Sequence, residues 1–205
     1  MSFVVVIILI ASVCSGFYTS RRGKFIVWSK LLDSVPLRGD ERVLDLGCGR
    51  GAVLLMAAER LHTGRAVGVD LWHRSDQSGN SPKATRRNAD AEGVADRVDL
   101  YTADITKLPF ANDCFDVVLS NVAIHNVKGA QQRDAAIDEA LRVLRPNGRL
   151  MIADIFRTDR YAKRLRARQV RDLERCALGW RMWWSGPWVR TMLVTATKSQ
   201  SAHDD

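Results

Sequence analysis

Between residues 42 and 154 the chain alternates short apolar runs with stretches in which apolar residues recur every three or four positions. Val43-Leu44-Asp45-Leu46, Ala66-Val67-Gly68-Val69-Asp70, Arg97 to Ala103, Asp116-Val117-Val118-Leu119-Ser120-Asn121 and Arg149-Leu150-Met151-Ile152-Ala153-Asp154 read as five strands. Near-continuous runs of Val, Leu and Ile suit strands covered on both faces. Ala52 to Leu61 and Ala130 to Leu144 read as helices, the second with Ala136, Ile137, Ala140, Leu141 and Leu144 on one face. Ser81 is a good N-cap and Pro82 a good first residue for a helix that continues through Lys83 to Glu92 and stops at Gly93. Arg145-Pro146-Asn147-Gly148 ends the helix before the fifth strand. Strands alternating with helices predict an α/β domain.

The flanks are less regular. Phe25 to Val35 reads as a short helix leading into the domain, and Leu37 to Glu41 as the turn after it. Arg157 to Arg175 is densely basic, with a narrow stripe of Tyr161, Leu165 and Leu173. It reads as a solvated helix flanking the sheet, or as one lying on an anionic membrane surface. Trp180 to Trp184 reads as a sixth strand and Val189 to Thr197 as a seventh. The Trp rings fit a core, an interfacial belt or the wall of an apolar pocket. Ser199 to Asp205 reads as a frayed tail.

The N-terminus changes the picture. Ser2 to Tyr18 carries no charge, Phe3 to Ile10 is continuously apolar, and Arg21, Arg22 and Lys24 follow at once. That length is near the minimum for a membrane-spanning helix. The basic residues follow the apolar run, whereas a cleaved signal normally places them before it. Residues 1–20 are therefore read as a membrane anchor, 21–198 as the domain and 199–205 as the tail. The positive-inside rule puts the domain in the cytoplasm. A buried strand or helix of the domain, or the last span of a longer membrane region, remain open.

Composition adds bounds. The 205 residues, 46% hydrophobic, suffice for one α/β domain with a full core. The net charge of +8 permits contact with anionic lipid, nucleic acid or an acidic substrate. Cys14, Cys48, Cys114 and Cys176 are scattered, with no pairing or His/Cys spacing that suggests a metal.

The chemistry concentrates in Asp45-Leu46-Gly47-Cys48-Gly49-Arg50-Gly51-Ala52, a strand end, a glycine turn and a helix start. That arrangement cradles a nucleoside-like ligand. Gly47, Gly49 and Ala52 fit the dinucleotide fingerprint, and Asp70 stands at the distance expected of a ribose partner. Asp45 argues against a dinucleotide, because a carboxylate there repels a pyrophosphate and favours a cationic ligand. S-adenosylmethionine is such a ligand: a nucleoside without phosphate that carries a sulfonium and an ammonium.

The run Val43-Leu44-Asp45-Leu46-Gly47-Cys48-Gly49-Arg50-Gly51 resembles the first motif of class I S-adenosylmethionine-dependent methyltransferases. Asp104-Ile105-Thr106-Lys107-Leu108-Pro109-Phe110 with Phe115-Asp116, and Leu141-Arg142-Val143-Leu144-Arg145-Pro146-Asn147-Gly148-Arg149-Leu150, resemble later motifs of the type 11 (ubiquinone/menaquinone-biosynthesis-like) group. The resemblance covers Leu37 to Lys198. It implies a Rossmann-like seven-stranded sheet, mostly parallel with an antiparallel last strand, and helices on both faces. It implies that Asp45, Gly47, Cys48, Gly49, Asp70, Leu71, Asp104, Ile105 and Asn121 bind S-adenosylmethionine. Asp70 would take the ribose hydroxyls, Leu71 and Trp72 would flank the adenine, and Asp104 would take its amino group over Ile105. The helix from Phe25 to Val35 would cover the pocket, or merely pack on the sheet edge.

His125 sits at a strand end where doubly wound sheets hold chemistry, and its imidazole suits a general base; a loop-bonding histidine is the alternative. Ser120-Asn121-Val122-Ala123-Ile124-His125 matches neither the Asn/Asp-Pro-Pro-aromatic motif of exocyclic-amine base methyltransferases nor the Pro-Cys motif of cytosine-C5 enzymes, which disfavours a nucleic-acid substrate. His73 to Ser81 is longer than the family's loop and lies beside the expected pocket. The expected activity is methyl transfer to a small-molecule acceptor, with a lean to lipid or quinone. A non-catalytic S-adenosylmethionine-binding module, an RNA or protein methyltransferase and a nicotinamide-dependent oxidoreductase are the alternatives.

Overall fold

The fold is built on a seven-stranded sheet in the order β3-β2-β1-β4-β5-β7-β6. The computed structural model describes residues 3–73 and 78–200. The strands are β1 (Arg42–Leu46), β2 (Arg65–Asp70), β3 (Val98–Thr102), β4 (Phe115–Asn121), β5 (Leu144–Asp154), β6 (Arg171–Ala177) and β7 (Met192–Thr197). β1 to β5 pair in parallel, and β7 runs antiparallel to both β5 and β6. The helices are α1 (Phe3–Tyr18), α2 (Lys24–Asp33), α3 (Ala52–Ala58), α4 (Pro82–Ala91), α5 (Ala130–Val143) and α6 (Thr158–Ala167).

The central strands are buried along nearly their whole length, as their uninterrupted apolar character requires. Two apolar clusters divide between the faces. One gathers Leu44, Val118, Ile137, Leu141, Tyr161 and Leu165, so it holds α5 and α6. The other gathers Trp28, Leu32, Val53, Leu54, Ala89 and Leu119, so it holds α2, α3 and α4. The parallel pairing brings the C-terminal ends of β1, β2, β4 and β5 to one edge, where a doubly wound sheet binds ligands.

Three departures from the sequence reading have physical causes. The basic stretch Arg157 to Arg175 is not one helix: α6 ends at Ala167, and Arg171 onward forms the edge strand β6. An edge strand exposed on most of its positions needs little apolar patterning, and its charges protect it from pairing with other chains. Trp180 to Trp184 is not the sixth strand. Trp180–Met182 is a 3₁₀ turn after Gly179, and only Trp183 makes a bridge, to Arg190. The Trp183 carbonyl instead accepts from Ser15 Oγ at 2.8 Å and Thr19 Oγ1 at 2.7 Å. The N-terminal helix thus satisfies a backbone group that a strand ladder would otherwise take.

Third, the apolar N-terminal run and the helix leading into the domain are continuous. A π-helical turn over Thr19–Gly23 joins α1 to α2, giving a helix of 31 residues from Phe3 to Asp33. It is long and apolar enough to cross a membrane, and Phe3, Val4, Ile7, Leu9, Ile10, Val13 and Phe17 are exposed on it. Its lower part docks on the Trp180 segment, where Tyr18 stacks on Trp180 with ring centroids 5.2 Å apart. Gly23 permits that approach, since a Cβ there would overlap the Arg181 carbonyl.

Candidate active site

The glycine loop after β1 is tied to the end of β2. Gly47 and Cys48 donate their backbone N–H groups to the Val69 carbonyl, at 2.8 and 3.1 Å. Gly47 has φ of 70°, and a Cβ on it would overlap that of Ala123, so only glycine fits where this loop passes the segment after β4. α4 braces the loop from outside, with Thr85 Oγ1 2.8 Å from the Gly49 carbonyl and Asn88 Nδ2 2.9 Å from that of Arg50. The Ser81 cap expected from the sequence is present, its Oγ accepting from the Ala84 N–H at 3.2 Å.

All ten residues singled out in the sequence line one cavity of about 920 Å³: Asp45, Gly47, Cys48, Gly49, Asp70, Leu71, Asp104, Ile105, Asn121 and His125. Trp72 is absent from its lining; the indole packs on the core and donates to Thr102 Oγ1 at 2.8 Å. Asp70 is held by its surroundings. Its Oδ2 accepts from the Gly49 N–H at 2.9 Å, and its Oδ1 from the Trp72 N–H at 2.5 Å and Asn80 Nδ2 at 3.1 Å. Asp104 Oδ1 accepts from the N–H and hydroxyl of Thr106, both at 2.8 Å. The His73–Ser81 insertion falls partly on residues 74–77, outside the described ones; His73 and Asn80 from its ends line the cavity.

Asp45 is the outlier. It is 2% exposed, and its Oδ1 has no hydrogen-bond partner among the described residues. Burial, with the Asp70 carboxylate adding repulsion, pushes its pKa up to about 8. A buried acceptor left bare is costly unless a ligand completes it. A cationic group relieves both the bare oxygen and the repulsion, whereas a pyrophosphate worsens both. The same negative surroundings and burial hold the Cys48 thiol well above its ordinary pKa, so it stays neutral. This donor set therefore fits the ammonium and ribose of S-adenosylmethionine.

On the other side of β1, β4 turns at Val122, a β-branched residue with φ of 54°, whose N–H donates to the Ala153 carbonyl at 2.7 Å. Such strain persists only where surrounding structure enforces it, and it concentrates at functional sites. It delivers His125, whose Nδ1 lies 2.6 Å from Asp154 Oδ1 and whose backbone N–H donates to Asp154 Oδ2 at 3.0 Å. Asp154, at the end of β5, is fully buried and also accepts from the Ile155 N–H at 2.8 Å and the Tyr161 hydroxyl at 3.2 Å. The carboxylate fixes the proton of His125 on Nδ1 and leaves Nε2 as an acceptor. Burial and this carboxylate push the Tyr161 phenol far above its ordinary pKa, so it remains a donor.

A family model described as "Methyltransferase domain" (type 11) matches residues 44–152. The chain belongs to this S-adenosylmethionine-dependent methyltransferase family. It is 34% identical over 129 residues, 62% of the chain and 48% of the relative, to the ubiquinone/menaquinone biosynthesis C-methyltransferase UbiE of Roseobacter denitrificans. It is 30% identical over 133 residues, 65% of the chain and 36% of the relative, to the sterol 4-C-methyltransferase strm-1 of Caenorhabditis elegans. The chain thus spans about half the length, or less, of these curated relatives. Among solved structures, geranyl diphosphate methyltransferase in complex with S-adenosylmethionine superposes with a TM-score of 0.68 at 17% identity, covering 85% of each chain. The YcgJ protein of Bacillus subtilis gives a TM-score of 0.67 at 16% identity, covering 86% of this chain and 99% of that one. These likenesses carry the fold.

Several contacts of this site are not visible in the sequence. Asp154 reads, with Ile155, as a strand end near the cavity that could contact substrate; its pairing with His125 exists because β4 and β5 lie side by side in register. The N-terminal helix enters too: Ser20 and Lys24 line the cavity, and Trp28 Nε1 donates to Asn121 Oδ1 at 2.8 Å. Asn80, 3% exposed, presents an Oδ1 without a partner while its amide nitrogen is committed to Asp70.

Proposed function

We propose that this chain transfers the methyl group of S-adenosylmethionine to a small, largely apolar acceptor at a membrane surface. One juxtaposition carries the proposal: a single cavity holds the bare, buried oxygen of Asp45 and the imidazole that Asp154 orients. In this reading Asp45 holds the ligand's ammonium and Asp70 its ribose. Asp104, Ile105 and Leu71 hold the adenine, and the backbone of Gly47, Cys48 and Gly49 lies against the ligand. Asn121, fixed by Trp28, orients the amino-acid end. When bound, S-adenosylmethionine supplies a methyl group already activated on a sulfonium.

The protein then supplies position and dryness. His125 Nε2 takes the proton released as a hydroxyl or acidic carbon of the acceptor becomes the nucleophile, and Asp154 stabilises the imidazolium that results. Ser20 and Lys24 of the N-terminal helix and Trp184 close the cavity against water. The quinone- and sterol-methylating relatives support a lipid-like acceptor. So does the apolar helix, which in this reading spans the bilayer over α1 with Arg21 and Arg22 on the cytoplasmic side.

The test uses the full chain in neutral detergent. Calorimetry with S-adenosylmethionine is expected to give micromolar binding that Asp70→Ala abolishes. Labelled methyl groups are then expected to enter an apolar component of a membrane lipid extract. Binding without transfer to any component would reduce the protein to a binding module; no binding by a folded protein would overturn the proposal.

A further inference from the structure

A second, smaller cavity of about 450 Å³ adjoins the first and shares His125 with it. Its other walls are Arg133, Phe156 and Arg157. Phe156 stands edge-on to His125, with ring centroids 5.9 Å apart. Two guanidinium groups beside the imidazole, with no carboxylate in the lining, set this cavity apart from the main one, where Asp45, Asp70 and Asp104 stand with Lys24, Arg50 and Lys128.

The arginines on α5 and α6 and at the ends of α6 supply the contrast. Arg142 pairs with Glu139, Arg160 with Asp134, and Arg164 and Arg168 with Asp138. Arg133 and Arg157, like the exposed Arg166, have no carboxylate within ion-pair distance among the described residues, but these two face the cavity. Arg133 gives one Nη1 bond to the Val127 carbonyl at 2.6 Å, and its Nε is buried with no acceptor. The nearby Asp154 carboxylate does not meet this demand, since its oxygens accept from His125, Ile155 and Tyr161. Its one charge also stands against two guanidiniums. A bare buried donor on a cation calls for an anion, and a guanidinium fork matches the paired oxygens of carboxylate and phosphate.

Building on the methyltransferase reading, we infer that Arg133 and Arg157 bind an anionic group of the acceptor, a carboxylate or a phosphate. The acceptor is then an acidic amphiphile. Its charged group occupies the smaller cavity, and its apolar part passes Phe156 and His125 toward the transferred methyl group.

The test titrates the full chain, in neutral detergent and saturated with S-adenosylmethionine, with hexyl phosphate, hexanoate, inorganic phosphate and hexanol. Both hexyl anions are expected to bind at least about tenfold more tightly than hexanol, and Arg157→Gln to remove about that factor. Arg133→Gln is expected to act likewise. If it unfolds, because it holds the Val127 carbonyl, Arg157→Gln decides. Arg166→Gln removes the same charge from an exposed site on α6 and is expected to change nothing. Inorganic phosphate is expected to bind more weakly than hexyl phosphate, as an anion carried on an apolar body requires; equal binding would overturn the assignment to the acceptor and give the site to a free soluble anion. The inference falls if Arg157→Gln binds the anions as the parent does, or if Arg166→Gln weakens them equally. S-adenosylmethionine affinity, measured on each variant, is expected to stay unchanged. Its absence in the parent would sink the methyltransferase reading and leave the anion result to be judged by itself.

Discussion

Asp45 and Asp154 are both carboxylates at C-terminal strand ends of the same sheet, both are buried, and they stand in opposite conditions. Asp154 accepts from two backbone N–H groups, an imidazole and a phenol. Asp45 has a bare oxygen and a second carboxylate, Asp70, acting against its ionisation. A buried carboxylate that the protein satisfies is a positioning element, and its neighbours define its role. One that the protein leaves unsatisfied is a place where a ligand can complete it. In the proposed reading the half of the cavity around Asp45 waits for a cation, whereas the half around His125 already has its hydrogen bonds in place.

Replacing the unfinished carboxylate is the strongest way to break this contrast. Asp45→Asn is expected to weaken S-adenosylmethionine by about 2–5 kcal/mol, the usual loss when one partner of a buried charge pair is removed. The same change is expected to stabilise the ligand-free protein. The carboxyl titrates near 3.8 when unfolded and at about 8 when folded. Above pH 3.8 the unfolded chain has therefore lost a proton that the folded one keeps, so this group lowers stability as pH rises toward 8. At pH 7 the full linkage is 7 minus 3.8, or 3.2 units, roughly 4 kcal/mol and an upper bound on the gain. Thermal unfolding at pH 5 and pH 7 checks it: the parent loses stability over that interval relative to Asp45→Asn. Below about pH 8 a cation must also displace the Asp45 proton, so the parent's affinity falls as pH is lowered and the variant's does not. Equal pH dependence in both proteins would remove Asp45 from the cationic site.

The assembled half is expected to respond in rate. His125→Ala should lower kcat by about 100-fold or more, the usual contribution of a general base, and leave S-adenosylmethionine affinity intact. If affinity falls in step with kcat, His125 belongs to the cofactor's half and the division proposed for the cavity is wrong. Tyr161→Phe removes one of four donors to Asp154 and is expected to cost about 1 kcal/mol in stability. Its effect on kcat should be smaller than that of His125→Ala, because three donors still hold the carboxylate.

The sequence made one half far more legible than the other. Asp45, Gly47, Gly49 and Asp70 are local: a strand end, a turn of positive φ and the next strand end, at short and regular spacing. His125 was legible as a candidate, but Asp154 became its partner only through the parallel register of β4 and β5, 29 residues apart. The arginines of the second cavity lay hidden in charge-rich helices, where paired and unpaired guanidiniums read alike. β6 was missed because an exposed edge strand carries no apolar period, and aromatic richness at Trp180 to Trp184 suggested a strand where docking against the N-terminal helix was the cause. Apolar length identified a possible span in α1. The resemblance offered the next helix as a cover for the pocket, but nothing in composition indicated that the two are one unbroken helix.

That continuity gives the smallest expected effect and sharpens the comparison from a third side. Trp28 is fully buried, 93 residues from Asn121 in sequence, and joined to it by one 2.8 Å bond. Trp28→Phe keeps most of the packing and removes the donor, so it should cost about 1 kcal/mol of stability and free the Asn121 amide to rotate. If the helix only covers the cavity, S-adenosylmethionine affinity will be unchanged once the loss of stability is allowed for. If the helix sets the Asn121 side chain, affinity should fall a few-fold, and Asn121→Ala should make the further change at Trp28 silent. A double-mutant cycle on these two positions measures the coupling directly. A clear coupling energy would make the N-terminal helix part of the cofactor's half, and independence would leave it a wall.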